Sequence, residues 1–172
     1  MKTLVSTLTA LAFAAGIAQA GPYIDKNPII PDVCDCYPPG LQFGMFTGAL
    51  FPHNEDDGFG GGVSIGYFFT EQFGVDISYQ VTDNEPSEEH LSTVDLVYRL
   101  GIDDSNCFSP YVFGGGGVLS DGFNRGLYRA GGGVELRFEN LSCLGVFADA
   151  AYNWVGSNND GWSGRVGLRI PW

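Results

Sequence analysis

The last eleven residues limit the fold most. In Trp162-Ser163-Gly164-Arg165-Val166-Gly167-Leu168-Arg169-Ile170-Pro171-Trp172 every second residue is apolar or glycine, and those between are polar, charged or small, with Pro171 last. A period of two is the signature of a strand with one apolar and one wet face. After residue 20 no apolar run reaches the roughly 20 residues that a membrane-spanning helix needs. A chain built of such strands can enter a bilayer only as a closed barrel, because closure leaves no strand edge unpaired in lipid.

Residues 1–20 read as a secretory signal peptide: Lys2 near the start, an apolar run through Leu11 to Ile17, then Ala18-Gln19-Ala20 as a cleavage site. The mature chain is expected to begin at Gly21. Residues 21–40 hold five of the nine prolines and the pair Cys34 and Cys36. Proline at that density cannot continue a ladder, so this stretch is predicted to be an extended periplasmic arm. Residues 41–172 are left as one domain. The formal charge of −12 argues against a nucleic-acid partner, which calls for a basic face.

Eight strands are predicted, at 41–51, 59–70, 73–82, 91–102, 110–119, 127–139, 144–155 and 162–172, making an all-β, antiparallel up-and-down transmembrane barrel. Phe59, Val63, Ile65, Tyr67 and Phe69 line one face of the second, and Phe73, Val75, Ile77, Tyr79 and Val81 one face of the third. Val97 in the fourth and Phe147 in the seventh fall on the wrong face, and the fifth, with Gly114 to Gly117, shows no legible alternation. The odd connections, at 52–58, 83–90, 120–126 and 156–161, are polar and mostly acidic and belong outside. The even ones, at 71–72, 103–109 and 140–143, are the periplasmic turns.

Charge decides which face is inside. Of eight basic residues, Arg99, Arg129, Arg137, Arg165 and Arg169 fall on the polar faces of strands, together with Asp76, Asp95, Glu135 and Asp149, and with Glu139 at a strand end. Opposite charges that hydrogen-bond one another can share a narrow lumen, where a lone charge would cost several kcal/mol. A lumen filled in this way does not make a general porin.

Residues 66–79, Pro110 to Gly117, Gly131 to Phe138 and Gly164 to Trp172 together resemble the small OmpA-like and OmpX-like, porin-like outer-membrane β-barrels. The resemblance covers 41–172. It implies an eight-stranded barrel with a polar, side-chain-filled interior, and it makes Val166, Leu168, Ile170 and the terminal Trp172 the signal read by the barrel-assembly machinery. Two features depart from the pattern: the arm with Cys34 and Cys36, and Pro171, which is expected to interrupt the last ladder. Fold membership does not transfer a role.

In an exported chain the four cysteines, Cys34, Cys36, Cys107 and Cys143, suggest disulfides. All four are expected at the periplasmic end, with at least one bond from arm to turn. A metal site is not expected, since Cys-x-Cys is not the usual zinc spacing. Asn54 to Asp57 and Glu85 to His90 put carboxylates on outer loops, which read as a solvated surface rather than a cation bridge to lipopolysaccharide. His53 and His90, both placed in loops, leave room for a Ser–His lipid-A acyl hydrolase or transferase with Ser92 or Ser87 as nucleophile. A soluble lipocalin-like carrier would need the apolar face inside. The sequence favours a non-catalytic outer-membrane barrel without cofactor. Its expected partners are outer-membrane lipids, lipopolysaccharide and the assembly machinery, and it is expected to be a monomer.

Overall fold

The computed structural model describes residues 36–53, 57–84, 87–101, 107–120, 122–138, 141–155 and 160–172, with Asn84 and Ser87 as backbone only. The signal peptide, most of the arm with Cys34, the acidic stretch 54–56 and Glu139 lie outside the described residues.

Eight strands follow one another: β1 (Gly40–Pro52), β2 (Gly58–Phe68), β3 (Phe73–Asn84), β4 (Ser87–Arg99), β5 (Phe108–Ser120), β6 (Asn124–Phe138), β7 (Leu144–Val155) and β8 (Gly161–Pro171). Each pairs antiparallel with the next, and β1 pairs with β8, from Gln42 opposite Pro171 to Pro52 opposite Gly161. The sheet is thereby a closed barrel with no free edge. Pairing to both neighbours satisfies the backbone N–H and C=O groups that lipid could not.

The alternation written in the sequence becomes an outside and an inside. Val63, Ile65, Ile77, Val94, Leu96, Val166 and Leu168 point outward and are exposed. Rings flank this band at both ends. Tyr67, Phe69, Phe73, Tyr98 and Trp172 lie towards the chain termini, and Phe51, Phe59, Tyr128, Trp154 and Trp162 towards the other end, an arrangement of aromatic girdles on an apolar wall. The lipocalin-like reading required the opposite orientation and is thereby excluded.

Several expectations are corrected. The third connection was placed at 83–90, but β3 runs to Asn84 and β4 starts at Ser87, so the hairpin continues beyond the apolar band and His90 sits on a strand. β2 stops at Phe68 and β4 at Arg99, short of the predicted ends, because the backbone turns there: Phe69 and Thr70 both donate to the Phe73 carbonyl and the Arg99 N–H donates to Gln72. Pro171 does not interrupt the ladder. Trp172 beyond it still donates to the Leu41 carbonyl at 2.8 Å, and β7 pairs with β8 only as far as Arg169. The N–H that proline lacks belongs on the side where β7 has already ended.

The wall also has inward aromatics. Val97, Phe147, Tyr111 and Phe113 break the sequence alternation because they face the lumen, and Phe46 and Phe68 join them. Room is made by glycines on neighbouring strands. A Cβ on Gly62 would come within 2.6 Å of the Phe46 ring, and one on Gly131 within 2.7 Å of the Phe113 ring. Large and small residues alternate across the lumen, which is how a narrow barrel is filled.

The arm is attached at the end where both termini lie. Cys36 is bonded to Cys107, which precedes β5, with their Cα atoms 5.2 Å apart. Cys143, before β7, is also disulfide-bonded. Both turn cysteines adopt left-handed backbone, with φ of 47° and 61°. Non-reducing peptide mapping is expected to recover Cys36–Cys107 and a second bond from Cys143 to Cys34. Replacing Cys36 with serine should lower stability by roughly 2–4 kcal/mol in a denaturant titration.

The lumen as candidate functional site

The interior is filled in three layers. In the middle, Arg165 grips Asp149 with two parallel bonds, Nε to Oδ1 at 2.8 Å and Nη2 to Oδ2 at 2.9 Å. The Tyr111 hydroxyl donates to the same carboxylate at 2.8 Å. Arg129 faces Asp95 at 3.4 Å, and Thr93 donates to Asp95 at 3.2 Å while sharing a 2.8 Å bond with Ser78. The four strands that carry these ions each turn alternate residues inward, which brings the side chains together in the lumen.

Towards the termini, Glu135 is the hub. Arg137 Nε and Arg169 Nη1 donate to its two oxygens at 2.6 Å each, and Arg99 Nη2 lies 3.7 Å away. Asp76 reaches Arg169 at 3.6 Å. Arg99 also donates to the Glu71 carbonyl at 2.8 Å and to the Gln42 side chain at 3.4 Å, and it stacks over Phe68 with its guanidinium carbon 3.7 Å from the ring centroid. Arg99 and Glu135 are wholly removed from solvent. Carrying so much charge in a lumen is tolerable only because nearly every ion meets an opposite one.

The floor of this layer comes from the arm. Tyr37, beside Cys36, is buried in the periplasmic mouth, and its hydroxyl donates between the backbone carbonyls of Cys107 at 2.6 Å and Glu135 at 2.8 Å. Its ring faces two guanidinium groups, Arg99 at 4.6 Å and Arg137 at 4.8 Å. Burial, and after it the Glu135 carboxylate, push the phenol well above its ordinary titration range, so it stays a neutral donor. Sequence reasoning assigned the arm a stapling role but missed Tyr37. The only available signal was an aromatic placed directly after a cysteine in a proline-rich stretch.

The third layer closes the other mouth. Leu50, Leu91, Leu119, Leu127 and Val155 point inward from five strands and pack as an aliphatic cluster. Glu89 is buried beside it, and the adjoining cavity measures about 30 Å³. That is room for about one water molecule.

All nine ionic residues singled out in the sequence are inside: Asp76, Asp95, Arg99, Arg129, Glu135, Arg137, Asp149, Arg165 and Arg169. Val166, Leu168, Ile170 and Trp172 line the outer face of the last strand, where Trp172 packs edge-on against Phe43 at 5.9 Å. No group of side chains with metal-binding composition occurs among the described residues. His90 and Ser92 share the outer face of β4. The His90 Nδ1 is 2.8 Å from the Tyr79 hydroxyl and the two rings stack, whereas His53 lies apart, just beyond β1.

A closed antiparallel barrel with an apolar, aromatic-girdled exterior and a charged interior defines an integral β-barrel membrane protein. No family model matches the chain. Outer membrane porin F of Pseudomonas fluorescens is 31% identical over 138 residues, covering 67% of this chain and 41% of that protein, so the chain spans less than half the length of this relative. Among solved structures, Neisserial surface protein A matches with a TM-score of 0.60 at 15% identity, over 77% of this chain and 97% of that one. The N-terminal β-barrel domain of Pseudomonas aeruginosa OprF matches with a TM-score of 0.56 at 17% identity, over 78% and 99%. The chain is thus similar to the small OmpA-like outer-membrane barrels, and its place is the outer membrane.

Glu135 offers the most direct test of the network. Glu135→Gln leaves the arginines around it without their shared carboxylate, and breaking a buried ionic group of this kind costs about 3–5 kcal/mol. Urea unfolding in lipid vesicles should register that loss, and it should exceed the loss from Asp76→Asn, whose carboxylate is held less tightly.

Proposed function

We propose that this protein is a non-catalytic outer-membrane barrel with a structural or surface-interaction role, not a wide pore. One observation carries the reading: the lumen is occupied from end to end, by aliphatic side chains at one mouth, ion pairs through the middle and Tyr37 at the other mouth. Eight strands leave an interior just wide enough for side chains to fill. The name porin F belongs to a protein of which this chain matches only 41%, and the filled lumen argues against open-pore conduction here. In this reading the partners are lipids of the outer membrane, lipopolysaccharide among them, and the barrel-assembly machinery, and the barrel acts as a monomer.

A second reading has one observation in its favour. His90 is not in a loop but on the outer face of β4, its ring nitrogen held by Tyr79, with Ser92 two residues on along the same face. A serine, an imidazole and a group that orients it are the elements of acyl-ester hydrolysis. Fluorophosphonate labelling of the membrane-inserted barrel that is lost in both Ser92→Ala and His90→Ala would favour this reading over the first.

Planar-bilayer recording tests the first. The wild-type barrel should give no stable large-conductance openings, and Tyr37→Ala should add only small, brief ones, because the ion pairs above it remain. Stable large openings from the wild type would overturn the proposal.

A further inference from the structure

Among the buried polar groups that lack a hydrogen-bond partner, Asn153 has open space beside it. Its Oδ1 accepts no bond, and the residue is 6% exposed. Its Nδ2 is already spent, on the Gly161 carbonyl at 3.4 Å and on Ser163 Oγ at 3.0 Å. Turning the amide over is no remedy, because it would set one oxygen against the Gly161 carbonyl oxygen. Asn153 lines the cavity of about 30 Å³ at the outer mouth, together with Glu89, Leu50, Leu91, Leu119 and Leu127. Glu89 is 3% exposed. The cavity also reaches Pro52 and Gly161, the last pair of β1 with β8, so it is entered where the barrel wall ends.

The lining dictates what this space takes. It is water-sized. Two acceptors border it, the Asn153 oxygen and the Glu89 carboxylate, and the amide donor beside them is used elsewhere. A carboxylate offers about four acceptor positions, so Glu89 can serve a guest besides its other contacts. A water could donate to both acceptors but would find no side-chain donor in return. A guest that only donates suits the site better. The ammonium of a primary amine is such a group, compact, with three donors at the end of an alkyl stem. Asp57, Asp83, Glu88 and Asp160 stand at the same end of the barrel, against Arg125 as the one lysine or arginine there among the described residues. That excess of negative charge draws cations to the mouth.

We infer that the outer mouth is a socket for the ammonium head of a primary amine arriving from outside, held by Glu89 and the Asn153 oxygen, with the alkyl stem against the leucines. The socket extends the surface-interaction reading, which conductance tests. Because the socket is tested by Tm, either can fail alone.

Thermal unfolding of the full-length barrel in uncharged detergent provides that test. Ethylammonium chloride is titrated against sodium chloride at constant ionic strength. The wild type should show a saturable rise in Tm, and tetramethylammonium, equally charged but without an N–H, should give none. Glu89→Gln keeps the shape without the charge and should need at least about tenfold more ethylammonium for half the effect, the scale of one hydrogen bond to an ion. Asn153→Leu should lose the rise while remaining folded by circular dichroism, and Glu89→Gln carries the comparison if the leucine variant fails to fold. No saturable rise in the wild type leaves a trapped water as the occupant and overturns the socket. An equal rise with tetramethylammonium, or an unchanged rise in both variants, reports screening of surface charge and overturns it as well.

Discussion

Everything in this barrel depends on the pairing of β1 with β8. In hydrocarbon an unpaired backbone N–H or C=O costs several kcal/mol, so a sheet in the bilayer must have no edge. Eleven registered residue pairs join the first and last strands. Because the number of strands is even, both termini return to one side, and the arm and the even-numbered turns collect there. The contact between Tyr37, Cys36 and Cys107 is thus a consequence of closure.

Closure also sets the inventory of the interior. Eight strands make a narrow tube, and each contributes only every second residue. The tube cannot be left half empty, and it cannot be filled with unpaired polar groups. The chain meets both demands by segregation: aliphatic side chains at one mouth, ion pairs among aromatic rings below, and glycines facing the largest rings. The guanidinium groups serve twice, as ions towards carboxylates and as flat surfaces on Phe68, Phe113 and Phe147.

The fold was legible in the sequence because period-two alternation survives wherever one face meets lipid and the other meets charge. Val166 and Leu168 against Arg165 and Arg169 is the plainest case. It failed at Tyr111, Phe113 and Val97, which are apolar and inward, because the lumen accepts rings as readily as ions. The nine charged residues could be assigned to the interior, yet their pairing could not, since Arg165 meets Asp149 only through the register of β7 with β8. Loop boundaries were least legible. The stretch 83–90 is polar enough to pass for a loop, but polar residues can also continue a hairpin above the membrane, and here they do. Tyr37 lay beyond reach for another reason: its place follows from a long-range bond, and no local pattern records it.

The Cys36–Cys107 bond spans 71 positions of sequence. It turns the first four strands into a covalent ring that meets itself at the periplasmic side. All strands within the ring are linked by hairpins, and none of the remaining four passes through it. Among the described residues, then, no strand threads the ring, so closing this bond does not require the later strands to pass through a covalent loop.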